Sequence, residues 1–216
     1  MSAALAGLAI LVIGDSQMMG MLPTLHDQLE GAGATVYSYA VCGSTAQDWI
    51  TPSTTSCGKL SRQDKAAAAL DMKAGPTWNI TNLIAEHHPN LIVVELGDTM
   101  AGYGGHIELG WVHEQISGLT AKIAASHVSC VWVGPAWGQD SGPYHKSVAT
   151  VQAMSQLLSQ SVAPCQYIDT TTFSRPGEWQ TRDGSHLEPD GYRKWAVAIT
   201  GSIERLKAQG TLLAEH

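Results

Sequence analysis

Two short segments at opposite ends of the chain carry side chains that could act together on a carbonyl carbon. Near the start, Gly14-Asp15-Ser16 follows a run of aliphatic residues. A serine where a strand gives way to a helix can lift its hydroxyl clear of the sheet. Its N–H then lies at the positive end of the helix dipole, where developing negative charge is favoured. Near the far end lies Asp183-Gly184-Ser185-His186. A serine hydroxyl is a weak nucleophile until a base takes its proton, and histidine titrates near neutral pH. A third group must fix the imidazole tautomer and offset the charge the ring gains. Asp183, three residues before His186, can reach back to the ring within a tight loop. Taken singly, each segment has a plainer reading: Asp15 or Ser16 as a helix cap, and Asp183 or Glu188 in a solvated turn before a helix.

Bringing residues 16 and 186 together requires a fold that gathers strand ends. Short apolar runs bounded by turn residues predict strands at Leu8–Ile13, Val36–Ala40, Leu91–Glu95, Val128–Val133 and Gln166–Asp169. Helical spacing covers Met19–Leu29, Gln63–Met72, Asn79–Glu86, Glu108–Ala125 and His145–Ser161. A last helix is expected from Pro189 to Lys207, with proline in its first turn. Alternating strands and helices predict an α/β domain spanning residues 1–216. Its expected form is three α/β/α layers around a doubly wound, five-stranded parallel sheet of flavodoxin-like order. In such sheets ligands bind beyond the carboxyl ends of the strands, where both segments fall. Val41–Arg62 is the longest irregular stretch and is expected to form a fixed wall of the site. Ala3–Ile13 lacks a preceding basic residue and runs straight into Gly14-Asp15-Ser16, so it reads as the first strand with its lead-in.

With both segments placed, the chain resembles the SGNH hydrolases, the GDSL-like esterase and acetylesterase superfamily. Gly14-Asp15-Ser16 matches the first block, and Gly43, after the second strand, occupies the second-block position. Gly97-Asp98-Thr99-Met100 lies where the third block reads G-x-N-D. Asp183 and His186 match the fifth block, followed by Leu187, Gly191-Tyr192 and Trp195-Ala196. The resemblance implies a Ser16–His186–Asp183 triad, an acyl-enzyme, and an oxyanion hole made by the Ser16 and Gly43 N–H groups and a third-block side chain. The sequence departs from the pattern there, with Thr99 in place of asparagine and Met100 in place of aspartate. A threonine hydroxyl can donate one hydrogen bond from a shorter arm. Asp98 is a poor participant, because a carboxylate beside an oxyanion repels it. The same resemblance implies no cofactor.

Composition narrows the partners. The chain has 216 residues and a formal charge of −7, without a run of lysine or arginine, which disfavours nucleic acid. No apolar stretch reaches the ~18 residues a membrane span needs. None of the nine histidines repeats a His-x-x-x-His spacing and no cysteines form C-x-x-C, so no metal is expected. Cys42 and Cys57 flank one polar loop, while Cys130 and Cys165 each open a predicted strand. Two local bridges, Cys42–Cys57 and Cys130–Cys165, would place the protein in the periplasm or outside the cell; four reduced, packed thiols would fit the cytoplasm. Seven tryptophans stand against one phenylalanine. Trp49, Trp137 and Trp179 fall in loops near the expected site and could stack on carbohydrate rings or simply pack. Trp132 and Trp195 read as core.

The expected activity is hydrolysis of an O-acetyl ester on a carbohydrate or polysaccharide, with an acetylated carbohydrate or small ester as partner. A polysaccharide O-acetyltransferase or a short-chain lipolytic esterase could use the same triad. A catalytically weak carbohydrate-binding or assembly module is the alternative from another class.

Overall fold

The computed structural model describes residues 3–212 except 56 and 104. In chain order the strands are β1 (Ala9–Gly14), β2 (Thr35–Val41), β3 (Thr54–Thr55), β4 (Lys59–Gln63), β5 (Ala69–Asp71), β6 (Gly75–Pro76), β7 (Leu91–Glu95), β8 (Ser129–Val133) and β9 (Gln166–Ile168). The α-helices are α1 (Ser16–Gly31), α2 (Ile80–His87), α3 (Leu109–Ala124), α4 (Val148–Ser161) and α5 (Pro189–Ala208).

β1, β2, β7, β8 and β9 form a parallel core with β2-β1-β7-β8-β9 as spatial order, the doubly wound arrangement expected. Alternation along β1 assigns each face its core. Ile10 and Val12 face Met18, Met21, Leu25 and Leu29 of α1, with Trp195, Ile199 and Ile203 of α5. Leu11 and Ile13 face the other layer, with Leu83 of α2, Ile116 and Leu119 of α3, and Met154 and Leu158 of α4. A period of two puts successive side chains on opposite faces, so a strand covered by helices on both sides is apolar throughout. Val93, Val94, Val131 and Trp132 follow the same rule.

The sheet is wider than expected. Residues 63–72 do not form a helix; β4 runs antiparallel to β2, with Tyr37 opposite Gln63 and Val41 opposite Lys59, and β5 folds back on β4. The alanine run favours a helix locally, but this segment has little apolar surface to bury one. Hydrogen bonds to the open edge of β2 decide instead, so the stretch expected to be irregular holds part of a mixed seven-stranded sheet. A Cys42–Cys57 disulfide ties the base of that extension, with Cα atoms 5.5 Å apart. A second, Cys130–Cys165, links the starts of β8 and β9 at 4.6 Å. No helix among the described residues is long and apolar enough to cross a membrane.

Candidate active site

Gly14 and Asp15 build the turn that presents Ser16. A side chain on Gly14 would lie 2.5 Å from Met18 Cβ and 2.7 Å from the Glu95 carbonyl oxygen, so only glycine fits between β1, β7 and α1. Asp15 caps α1: its Oδ1 accepts from the Gln17 N–H at 2.9 Å, satisfying one of the donors left open at a helix start. Ser16 is therefore the first residue of α1, its N–H at the helix's positive end.

The opposing loop is shaped by its own carboxylate. Asp183 Oδ1 accepts from the N–H groups of Ser185 at 3.0 Å and His186 at 2.8 Å. Asp183 Oδ2 lies 2.7 Å from His186 Nδ1. Burial pushes the Asp183 carboxyl up, but the bonds from His186 and Ser185 outweigh it and hold the group below the usual carboxylate range. With Nδ1–H donating to that carboxylate, Nε2 is left as acceptor, and Ser16 Oγ lies 2.8 Å from it. The structure thus brings Ser16, His186 and Asp183 into one chain of hydrogen bonds.

These groups open into a cavity of about 390 Å³. Besides Ser16 and His186 its walls include Gly43, Thr99, Tyr103, Tyr144 and the Cys42–Cys57 bridge. Gly43 takes a left-handed φ of +74° next to that bridge, a backbone shape suited to glycine.

Thr99 sits at the pocket, but its hydroxyl donates to Asp15 Oδ2 at 3.1 Å. Its proton is directed to Asp15 and not into the pocket, where the expectation put it as an oxyanion donor. Asp15 gains from the arrangement: burial and the nearby Asp98 charge push its carboxyl up to about 7, against bonds from Gln17 and Thr99.

Of the two readings of the three loop tryptophans, stacking on sugar or packing, the structure takes packing and removes them from sugar contact. Trp49 is fully buried with Nε1 donating to Ser44 Oγ at 3.2 Å. Trp137 is buried with Nε1 directed at the Thr171 and Ser174 carbonyls. Trp179 packs in the core beside Leu187 and Tyr192. A large indole surface gains more from closing under a loop than from remaining in water. Trp132 and Trp195 are core residues, as expected.

Two residues that sequence reasoning passed over are placed here by the loop after β8. Gly138 and Gly142 let it lie against the Asp183–His186 loop, where side chains on either glycine would overlap the Gly184 or Asp183 backbone, and Gln139 N–H donates to the Gly184 carbonyl at 2.7 Å. This loop carries Tyr144, 41% exposed and packed edge-on to the His186 ring at 5.5 Å between centroids. It also carries Lys146, which is fully buried and paired with Asp98. The Ser141-Gly142-Pro143 turn signal marks Tyr144 as a loop aromatic. Nothing local marks Lys146, whose partner is 48 residues away.

The architecture is that of the SGNH hydrolases. The lipase/acylhydrolase from Enterococcus faecalis superposes with a TM-score of 0.63 at 13% identity, covering 92% of this chain and 96% of that one. A GDSL-like lipase from Bacteroides thetaiotaomicron gives 0.58 at 14% identity over 91% and 88%. A peptidoglycan O-acetylesterase gives 0.59 at 14% identity over 96% and 94%. In sequence, the chain is 42% identical over 217 residues to protein BcsX of Komagataeibacter xylinus, covering 96% of this chain and 82% of that protein. The chain belongs to the BcsX family. No protein-family profile matches it.

Proposed function

We propose that this chain is a serine esterase that removes O-acetyl groups from a carbohydrate or polysaccharide. The observation that carries the reading is the hydrogen-bonded series from Ser16 Oγ to His186 Nε2 at 2.8 Å and from His186 Nδ1 to Asp183 at 2.7 Å, open to a cavity. Ser16 Oγ attacks the ester carbonyl while its proton passes to His186 Nε2. The N–H of Ser16, at the head of α1, and that of Gly43 face the resulting oxyanion. His186 then gives the proton to the leaving sugar hydroxyl, the C–O bond breaks, and an acetyl-Ser16 ester remains. Water, deprotonated by His186, releases acetate and restores the serine. Asp183 stays ionised throughout and stabilises the imidazolium.

Several features support the small acyl group and the sugar. A cavity of about 390 Å³ lies at the lower end of the usual range for ligand pockets, about 300–1,000 Å³, which suits acetyl better than a long acyl chain. Tyr144 offers an aromatic surface at the rim, where the alcohol half of the ester would lie. Among proteins of this fold, the peptidoglycan O-acetylesterase acts on an acetylated glycan. The two disulfides fit an oxidising compartment, so we place the protein in the periplasm or outside the cell.

The test pairs a fluorophosphonate probe with acetate release. Peptide mass spectrometry is expected to find the adduct on Ser16, and acetylated glycans are expected to yield acetate in water without a glycan acceptor. Ser16→Ala and His186→Ala are expected to reduce turnover of p-nitrophenyl acetate to background, with Ser16→Ala keeping the wild-type unfolding temperature. A wild-type rate in folded Ser16→Ala overturns the mechanism. Absence of an adduct would favour a binding module, and acetyl transfer only to an added glycan would make the enzyme a transferase.

A further inference from the structure

Asp98 is an awkward neighbour for an esterase site. It lines the cavity that holds Ser16, and a carboxylate there would repel the negative charge that develops on the substrate oxygen. The fold answers it with a buried cation. Lys146 is 0% exposed, and its Nζ contacts Asp98 Oδ2. Gln17 Nε2 donates to the same oxygen at 2.5 Å, and the Tyr103 hydroxyl donates to Oδ1 at 2.6 Å. The ammonium also lies 5.2 Å from the centre of the Tyr103 ring.

The other acids nearby are Asp15 and Glu95, both fully buried with their carboxyls pushed up: Asp15 to about 7, by burial and then by Asp98, and Glu95 well above its ordinary range, by burial and then by Asp15 and Asp98. Lys146 opposes the shift on Glu95. A lysine is costly to bury and is retained in such a place only when it is paired and hydrogen-bonded. The direct ion pair is with Asp98 alone of the three.

We propose that Lys146 is a positioning residue of the esterase site: it cancels the Asp98 charge beside the oxyanion and, through Asp98, holds Gln17 between the nucleophile and the histidine loop. The second part follows from what Gln17 touches. It is the residue after Ser16, and the second N–H of its amide is shared between the carbonyl at 3.1 Å and the hydroxyl at 3.2 Å of Ser185, the residue before His186. This inference rests on the esterase reading above.

The experiment compares Lys146→Met and the double variant Lys146→Met/Asp98→Asn in the full chain. Each is read as kcat and KM on p-nitrophenyl acetate, per site titrated with fluorophosphonate, beside the unfolding temperature. In Lys146→Met, kcat is expected to fall by about tenfold or more with KM nearly constant, the order expected for one uncovered charge near a developing one at an effective dielectric constant of about 20. The double variant, which has no charge left to neutralise, is expected to recover most of that loss. A purely structural lysine would lower the unfolding temperature and the number of reactive sites but leave kcat per site unchanged; that result overturns the proposal.

If Lys146→Met does not fold, the double variant decides: activity per site within about tenfold of wild type supports charge cancellation, and a folded but inert protein overturns it. Failure of both to fold assigns Lys146 to structure alone and also overturns the proposal. A wild-type protein that neither turns over esters nor labels at Ser16 removes the esterase reading itself, and this inference with it.

Discussion

Gln17 Nε2 reaches the Ser185 carbonyl at 3.1 Å, so the residue after the nucleophile grips the residue before the base. Its Oε1 accepts from the Tyr192 hydroxyl at 2.9 Å, which adds α5 to the same clasp. Catalysis by Ser16 and His186 depends on an approach between segments 170 residues apart in sequence, and this one amide joins three elements around it.

Gln17→Leu is expected to break that clasp. The apolar side chain keeps approximate size but leaves Asp98 and the Tyr192 hydroxyl short of partners, at a cost of about 1–3 kcal/mol for unsatisfied buried groups. Urea denaturation should show the loss, and kcat should fall more than KM rises because the distance between nucleophile and base is relaxed.

Stability is expected to depend on pH through Asp15. Its carboxyl titrates at 3.8 ordinarily and at about 7 in the folded chain. Between those values the folded protein holds a proton that the unfolded chain has released, so stability falls as pH rises from about 4 to about 7. Asp183 acts in the opposite sense: its depressed value gives stability that is present above the ordinary carboxylate range and lost as pH falls through the depressed one. Urea midpoints across this range should show a shallower decline for Asp15→Asn than for wild type, the remainder coming from Glu95, whose carboxyl is also raised.

Thr99→Val separates a bond to Asp15 from a bond to substrate. Since the hydroxyl donates to Asp15, the substitution should cost about 1 kcal/mol of stability. It should leave kcat well short of the loss of about 100-fold or more that follows removal of an oxyanion donor. A loss of that size in steady-state kinetics would return Thr99 to the oxyanion hole.

The two disulfides should separate stability from activity. Closing 15 residues in Cys42–Cys57 and 35 in Cys130–Cys165 contributes about 3 and about 4 kcal/mol in a chain-entropy estimate. Serine pairs at either bridge should lower the unfolding temperature. Loss of Cys42–Cys57 should also lower kcat several-fold, because that bridge borders Gly43 and the cavity. Loss of Cys130–Cys165, set in the core away from the cavity, should not.

Tyr144→Ala should raise KM for an acetylated glycan by about tenfold, the scale of one aromatic contact, and raise it less for p-nitrophenyl acetate. Equal effects on both substrates would take Tyr144 out of sugar recognition.

What the amino-acid order determined by itself was local. Five aliphatic runs needed burial on both faces, and that need specifies parallel strands between helices. Gly14-Asp15-Ser16 and Asp183-x-x-His186 carried their chemistry in their spacing, because the cap on α1 and the Asp183 loop are each closed by bonds within three residues. The cysteine pairs were legible for a similar reason, each lying at the ends of neighbouring elements.

Tertiary structure decided whatever depends on a distant partner. The open edge of β2 drew residues 59–63 into a strand, and residues 69–71 folded back on that strand, where the spacing of residues 63–72 favoured a helix. Loop closure buried Trp49, Trp137 and Trp179, while Tyr144 remained at the surface. Asp15 claimed the Thr99 hydroxyl from 84 residues away, and Asp98 drew Lys146 into the interior from 48. A hydrophobic period is written into consecutive residues, but the desolvation of a charge and the partner of a hydroxyl are properties of the space that the folded chain encloses.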